Sequence, residues 1–446
     1  MIDLVHRYGG VVIKFGGDAI TCHFADGAKG LARACACALA MQDKMTQFAA
    51  VQTRGGVFNL RMKIGISAGP VLSMSVGQPE EGVEYVLAGR ALDRMSAAEH
   101  HAAAGEVLVD SLSLESEALY DKLGLTIAER RDEFLRITGL AYEVTPLSTA
   151  PALPPLAPEL VPTVIEQLVS YVPATLYEQI REGHIELLGE HRWVVSLFVN
   201  FMGLEYDTDP QAGEKLQTYF TTMQTIIHRY GGRLNRVITG DKGSLLHIIF
   251  GAPVAHEDNE ERAVGCALEM QRIALKSGQL PFITDQQIGI AAGYVFAGNV
   301  GSEERREYTV MGDVVNLSSR LMQAASAGEI LMDQPTAQRV AQDFVCESLP
   351  PIRVKGKSEP VAVSRAVSVR RESKRWGAEV PPARRRDLPI VGRQQELDQV
   401  QAIIERVLQG QGQLLVINGE AGIGKSRLLQ ALIEMARDAG MHGYQG

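Results

Sequence analysis

The stretch "EYTVMGDVVN" at Glu307–Asn316 decides the fold, because the chain holds an altered copy of it, "EYVLAGRALD", at Glu84–Asp93. The other echoes are "HRYGG" at His6–Gly10 and His228–Gly232, "RACACALAMQ" at Arg33–Gln42 with "RAVGCALEMQ" at Arg262–Gln271, and "IGISAGPV" at Ile64–Val71 with "IGIAAGYV" at Ile288–Val295. Their order is the same and their offset is nearly constant. The pattern indicates two homologous copies of one domain.

Each copy alternates between strand and helix patterns. A hairpin is followed by a helix, a short strand rich in Ile, Gly and Ala, a second helix and a β-rich end, which predicts an α+β fold with a mixed or antiparallel sheet. The second copy opens with a buried strand at Arg192–Leu204 and an amphipathic helix at Lys215–Tyr230, and the first copy begins at the tail of that helix. We therefore expect the first copy to be truncated at its N-terminal end.

The 446 residues are too many for one hydrophobic core, so several domains are expected. The predicted divisions are a first copy at 1–145, a Pro-rich linker and helical connector at 146–190, a second copy at 191–368, a basic linker at 369–388 and a P-loop segment at 389–446. The basic linker favours a solvated tether over a nucleic-acid or membrane contact. We call residues 1–145 the first copy and residues 191–368 the second copy.

Composition excludes several classes of protein. The net charge of -9 leaves no footprint for non-specific nucleic-acid binding, and no apolar run reaches the ~20 residues that a membrane helix needs. No signal peptide opens the chain. The five cysteines lack the spacing of a disulfide framework or zinc site, which favours a reducing, cytoplasmic compartment.

A hairpin in the first copy raises a chemical question. "IKFGGDAITCHF" at Ile13–Phe24 places Lys14 and Asp18 beside a Gly-Gly tip between two apolar runs. Such a tip is usually only a solvated turn. A carboxylate and an ammonium there could also meet a metal ion and a ligand. A strict two-residue turn at Gly16–Gly17 would put the two charged side chains on opposite faces, so a wider or bulged tip is expected.

Three motifs together carry a family resemblance. "KFGGD", "EYTVMGDVVNLSSR" and "RVKGKSEP", in duplicated domains before a P-loop, resemble the class III nucleotidyl cyclases, and most closely the soluble, bicarbonate-responsive adenylyl type. The resemblance implies two ferredoxin-like cyclase domains in an intramolecular pseudo-heterodimer, followed by the start of an α/β P-loop NTPase domain. It implies conversion of ATP to cyclic AMP and pyrophosphate.

The resemblance also assigns roles at the reaction centre. Asp18 is the implied carboxylate ligand of Mg²⁺ or Mn²⁺, hard ions that prefer oxygen ligands. Asn316 orients the ribose, and Arg320 stabilises the charge on the phosphate in the transition state. The matching residues of the first copy are Asp93 and Ala97, which cannot do the same work. Each copy has thus lost what the other keeps, and one active site with one degenerate pocket is expected.

Base recognition rests on Lys14 and Thr309 by resemblance. The lysine would donate to adenine N1 and the threonine would accept from the exocyclic amine, which favours ATP. Their counterparts in the other copy are Arg236 and Val86. Lys355, in "IRVKGKSEPV", would reach the triphosphate, with simple solvation an equally good reading.

The segment "QLLVINGEAGIGKSRLLQAL" matches G-x-x-x-x-G-K-S. It predicts a strand, a phosphate-binding loop and a helix, in which backbone N–H groups cradle phosphates and the lysine reaches the β- and γ-phosphates. The residues assigned to ATP are Gly419, Gly422, Gly424, Lys425 and Ser426. We expect this segment to be the beginning of an ATPase domain of the AAA-like group.

The sequence as a whole predicts an adenylyl cyclase within a larger signalling protein, with the present chain weak or inactive by itself. Guanylyl cyclase activity is a second hypothesis within the enzyme class. Two hypotheses of a different kind are a catalytically dead sensor of nucleotide or bicarbonate that regulates the ATPase, and a protein whose main output is the ATPase. ATP is the expected partner, bicarbonate a second candidate ligand, and neither nucleic acid nor membrane insertion is expected.

Overall fold

The computed structural model describes residues 1–16, 19–113, 123–147, 156–172, 177, 180–181, 189–240, 243–301, 306–355, 357, 359–370, 393–417 and 425–441. Backbone contacts divide the chain into two compact units, Met1–Trp376 and Gly377–Gly446. Both copies therefore belong to one unit, and the P-loop segment belongs to the other.

The first copy and the connector after it contain four helices and ten strands in their described residues. The helices are α1 (Ile2–Arg7), α2 (Gly27–Met45), α3 (Arg90–His101) and α4 (Val161–Val169). The strands are β1 (Val11–Gly16), β2 (Ala19–His23), β3 (Val51–Thr53), β4 (Gly56–Phe58), β5 (Ile64–Ile66), β6 (Leu72–Gln78), β7 (Gly82–Ala88), β8 (Val107–Asp110), β9 (Leu125–Arg131) and β10 (Phe134–Leu140).

The second copy contains four helices and eight strands in its described residues. The helices are α5 (Ala212–Arg229), α6 (Asn259–Leu275), α7 (Asp313–Ala324) and α8 (Gln334–Val340). The strands are β11 (Glu190–Met202), β12 (Arg233–Gly240), β13 (Gly243–Phe250), β14 (Asp285–Gly301), β15 (Arg306–Met311), β16 (Ile330–Asp333), β17 (Phe344–Ile352) and β18 (Val361–Val369). The predicted opening strand and helix are confirmed as β11 and α5.

Strand β11 unites the sheet of the second copy. It pairs antiparallel with β13 on one side and with β14 on the other, in an eight-stranded sheet of order β12-β13-β11-β14-β16-β18-β17 with β15 paired to β14. Its run Val194–Phe201 is buried because helices α6 and α7 pack against the strand. The mixed sheet and the helices confirm the predicted α+β class.

The sheet of the first copy is divided. Strands β1 and β2 form a separate hairpin, while β5, β8, β10 and β9 form a four-stranded sheet. Among the described residues no strand joins β2 to β5, at the place where β11 joins β13 to β14 in the second copy. The counterpart of β14 is also interrupted, because Pro70 stands where the second copy has Tyr294, and proline cannot donate to a ladder.

The two copies share one core. Val76 and Val86 of the first copy pack in the same buried cluster as Phe220 and Met223 of helix α5. Gln217, also on α5, reaches across to Gly77, whose N–H donates to Gln217 Oε1 at 2.9 Å and whose carbonyl accepts from Gln217 Nε2 at 3.0 Å. The connector also packs here, since Val83 N donates to Ser170 O at 2.7 Å.

The second unit contains helices α9 (Gln394–Leu408) and α10 (Lys425–Asp438). The predicted helix after the phosphate loop is confirmed, but the predicted strand before it is wrong. Residues 411–417 have no regular structure, and Leu414 is 92% and Val416 76% exposed. A parallel strand needs a paired neighbour to bury its apolar side chains, and the described residues of this unit supply none.

Candidate active site

Helix α7 carries two of the predicted catalytic residues on one face. Asn316 and Arg320 lie four residues apart, while Leu317 and Leu321 turn into the core. The helix packs closely on β14 because residue 289 is glycine. A Cβ at Gly289 would lie 2.2 Å from backbone atoms of the helix, so any larger residue would push the helix away.

The polar ends of these two side chains are unpartnered in the part of the chain that the structure describes. Asn316 is exposed and Arg320 half-buried, and neither makes a hydrogen bond or ion pair there. Lys357 forms an ion pair with Asp313, the first residue of α7, whereas Lys355 is exposed in the same turn. The structure thus ties Lys357 to this helix and leaves Lys355 in solvent.

Thr309 lies on the neighbouring strand β15 and is 4% exposed. Its hydroxyl oxygen accepts from Arg236 Nη2 at 3.0 Å and from Asn235 Nδ2 at 3.2 Å. Consecutive strand residues usually point to opposite faces, but a bulge at Asn235 lets both side chains reach the same hydroxyl. Arg236 also donates to Glu307 Oε1 at 2.8 Å.

Lys14, the predicted partner of Thr309 in base recognition, makes other contacts. Its ammonium donates to the Val237 carbonyl and lies 3.8 Å from Glu84 Oε2. In return the Arg236 guanidinium donates to the carbonyl of Phe15. The structure therefore places Arg236, and not Lys14, against Thr309. The repeat offset aligns Arg236 with Lys14, but that correspondence does not show which residue contacts Thr309.

Four charged side chains lie close together between the two copies. The first copy supplies Lys14 and Glu84, and the second supplies Arg236 and Glu307. Burial lowers the pKa of Lys14, and the two glutamates oppose that shift. Burial likewise raises the pKa of Glu84, which Lys14 opposes. The cluster lines a cleft of about 1180 Å³ between the copies, large enough for a nucleotide.

The structure does not complete a metal site. Asp18 lies outside the described residues, and no group of three His, Cys, Asp or Glu side chains among the described residues could hold an ion. On β11, which has no counterpart strand among the described residues of the first copy, the Asn200 amide nitrogen donates to Gln287 Oε1 at 3.1 Å. This amide is 6% exposed, and its Oδ1 has no hydrogen-bond partner among the described residues.

The predicted phosphate-loop residues lie largely beyond the described ones. The loop glycines Gly419, Gly422 and Gly424 are outside them. Lys425 and Ser426 open helix α10, but their side chains are not described. The ATP-binding roles of these residues stay predictions.

Known families match both parts of the chain. Residues 195–364 match the adenylate and guanylate cyclase catalytic domain, and residues 389–444 match the AAA ATPase domain. The chain contains a class III cyclase domain and an AAA ATPase domain. The resemblance read from the motifs is thereby confirmed. The cyclase domain covers β11 to β18 and thus holds Thr309, Asn316 and Arg320.

Some relatives match nearly the whole length of the chain, and others match only part of it. Adenylate cyclase type 10 of Homo sapiens is 25% identical over 470 residues, which cover 98% of this chain and 28% of that protein. An adenylate cyclase of Mycobacterium bovis is 26% identical over 43% of each chain. The adenylyl cyclase CyaB from P. aeruginosa is a solved structure with 28% identity and a TM-score of 0.39, covering 42% of this chain and 100% of that one.

The chain spans 28% of the length of the human relative. Among the described residues, no helix has the length and apolarity that a bilayer crossing requires. None of the five cysteines, all of them described, forms a disulfide.

Proposed function

We propose that the cyclase domain and the first copy together form an adenylyl cyclase, which converts ATP to cyclic AMP and pyrophosphate at one shared site. The observation that carries this proposal is the face of α7 with unpartnered Asn316 and Arg320 among the described residues. The matching residues on α3 are Asp93 and Ala97. The similarity to adenylate cyclase type 10 of Homo sapiens supports ATP as the substrate.

In the proposed reaction, Asn316 and Arg320 would have two roles, to position the ribose and to stabilise negative charge. The ribose 3′-hydroxyl attacks the α-phosphorus in line, pyrophosphate leaves, and negative charge grows on the phosphoryl oxygens. Arg320 stabilises that charge through its fixed fork of N–H donors, and Asn316 fixes the ribose through its amide. Bound Mg²⁺ or Mn²⁺ would lower the pKa of the attacking hydroxyl, and Asp18 remains its predicted ligand.

The contacts of Thr309 refine how the base would be read. Asn235 and Arg236 donate to both lone pairs of its hydroxyl, so the hydroxyl proton remains for a ligand acceptor. Adenine N1 is such an acceptor, and the carboxylate of Glu307 can take the exocyclic amine. Acceptance of that amine by Thr309 itself, as the family resemblance implies, requires Arg236 to move from Thr309 to the base.

The same donor set favours guanylyl cyclase activity as the second candidate. A guanidinium and a hydroxyl proton can both donate to guanine O6, and a carboxylate can accept from the N–H groups of guanine. ATP and GTP must therefore be compared directly. Binding of bicarbonate and regulation by the ATPase domain stay predictions.

The test is formation of cyclic nucleotide from ATP and from GTP, with Mg²⁺ or Mn²⁺, measured by mass spectrometry. The chain alone should act slowly, because no described strand completes the sheet beside β2. Arg320→Ala should lower the rate about 10²- to 10³-fold, the usual cost of one transition-state donor. Arg272→Ala, at an exposed arginine of α6, is the matched control.

Three outcomes separate the candidates. Cyclic AMP that depends on Arg320 supports the proposal, and faster turnover of GTP than of ATP transfers it to guanylyl cyclase activity. Binding of both nucleotides without any turnover, even when the chain is extended to the length of its relatives, would leave the sensor hypothesis in its place.

A further inference from the structure

A continuous chain of hydrogen bonds runs through the interior of the second copy, from helix α7 to Thr309. Ser318 on α7 contacts Ser196 on β11 at 2.8 Å, and Ser196 contacts His247 Nε2 on β13 at 3.0 Å. His247 Nδ1 contacts Asn235 Nδ2 at 3.1 Å, and that amide also donates to Thr309. All five side chains are at most 5% exposed.

The orientation of the Asn235 amide in this structure sets the direction of donation. Asn235 Nδ2 is a donor only, so His247 Nδ1 must accept and the imidazole proton must sit on Nε2. That proton is donated to Ser196, whose hydroxyl donates to Ser318, whose hydroxyl donates to the Val315 carbonyl at 3.0 Å. The hydroxyls of Ser196 and Ser318 then each have one donor role and one acceptor role.

The imidazole is held neutral in this place. Burial lowers the pKa of His247 from 6.5 to about 3, and Arg236 and Arg233 add to the shift. The ring also stacks on Phe198, with centroids 4.2 Å apart and an interplanar angle of 7°. A neutral ring with one donor and one acceptor suits a relay between two fixed neighbours.

The described residues of the first copy contain no counterpart of this chain. The offsets of 222 and 223 residues place Ile13 at the position of Asn235, Val86 at that of Thr309 and Met95 at that of Ser318. Strand register places Thr21 opposite Lys14, as His247 stands opposite Arg236. Among the described residues, the polar chain therefore occurs in the copy that carries Asn316 and Arg320 and not in the other.

We infer that His247 is a positioning residue, which holds Asn235 against Thr309 and links the base pocket to helix α7 through Ser196 and Ser318. The inference rests on the proposed function, because that function supplies the purine base that Thr309 would contact. His247 itself would not contact the nucleotide. It fixes which way the amide of Asn235 faces, and thereby leaves the Thr309 proton free for the base.

Two variants separate the two ends of the imidazole. In His247→Asn the side-chain oxygen stands near the place of Nδ1 and keeps the acceptor for Asn235. In His247→Gln the side-chain nitrogen stands near the place of Nε2 and keeps the donor to Ser196. His247→Phe keeps the stacking on Phe198 and loses both hydrogen bonds.

The first measurement needs no nucleotide. The NMR signal of the Thr309 methyl group, assigned with Thr309→Val, should move in His247→Phe and His247→Gln and stay in place in His247→Asn. The second measurement is the ratio of the dissociation constants of N-methylanthraniloyl-ATP and -GTP. This ratio should change about 5-fold in His247→Phe and His247→Gln, the worth of one neutral hydrogen bond, and persist in His247→Asn.

A purely structural role predicts a different result, namely a lower unfolding temperature with both nucleotides weakened equally. An unmoved Thr309 signal in His247→Gln, or an equal nucleotide ratio in all variants, overturns the inference. If His247→Phe fails to fold, the comparison of asparagine with glutamine still decides. If the unmodified chain binds neither nucleotide, the proposed function fails, and the methyl signal alone decides the role of His247.

Discussion

Replacing Gly289 by alanine should move the helix that carries the proposed catalytic residues. The added Cβ would lie 2.2 Å from Ser318 O and 2.2 Å from Met322 N, both backbone atoms of α7. Ordinary contacts of a Cβ begin at 3.4 Å, so the helix must retreat by about 1.2 Å. Backbone atoms cannot turn aside as a side chain can, and the whole helix has to shift.

Two effects follow from that shift. Overpacking of a well-packed interior costs about 1–3 kcal/mol of unfolding free energy. Displacement of Asn316 and Arg320 by about 1 Å should lower cyclic nucleotide formation about 10²-fold, because catalytic geometry tolerates little error. Urea unfolding measures the first effect, and initial rates corrected for the folded fraction measure the second.

The first copy offers a matched control. A Cβ at Gly65 would lie 2.3 Å from Glu99 N and 2.4 Å from Met95 O of helix α3, nearly the same clash. Helix α3 carries Asp93 and Ala97 in place of the catalytic pair. Gly65→Ala should therefore cost similar stability while changing the corrected rate much less.

Equal loss of corrected rate in both variants would refute the reasoning, since the effect would then be general destabilisation. A Gly289→Ala variant with normal rate and normal stability would also refute it. In that case either the helix does not approach β14 so closely, or its two polar residues do not act in the reaction.

The carboxylate of Asp207 accepts from Arg90 N, at the start of α3, at 2.9 Å across the two copies. Asp207→Ala should cost about 1 kcal/mol of unfolding free energy in urea, and Glu205→Ala close to none. Hydrogen bonds from Arg131 lower the pKa of Glu106 from 4.5 to about 2. A lowered pKa in the folded state adds stability above about pH 4.5 that is lost as the pH falls towards 2, so Glu106→Gln should flatten the fall in urea midpoint over that range.

The repeat pattern made most of the fold readable from the sequence. Periodicity predicts the hairpins, the helices and the opening strand of the second copy. The second copy shows the complete element order, of which the first copy shows only a part. The strand predicted before the phosphate loop does not form at residues 411–417, because periodicity reports a tendency, while a strand exists only with a partner. Such pairing depends on distant residues that local pattern does not specify.

The site was harder to predict for a geometrical reason. Asn316 and Arg320 lie on one helix face, so their spacing suffices. The neighbours of Thr309 depend on a bulge at Asn235 and on the register that sets Arg236 opposite His247. Alignment of the two copies shows that Arg236 replaces the lysine of the first copy. It shows which residues correspond, but it does not show which residues are in contact.

The contrast between the copies also shows that stability alone does not require the buried polar chain. Buried hydroxyl, amide and imidazole groups cost free energy unless each finds its partners. The first copy places apolar residues at the matching positions, of which Val86 is buried and Ile13 and Met95 are half-buried. The second copy bears the cost of these buried polar groups beside Asn316 and Arg320, and Asn235 Oδ1 has no hydrogen-bond partner among the described residues. We therefore attribute the buried polar chain to the orientation of the site residues and not to stability.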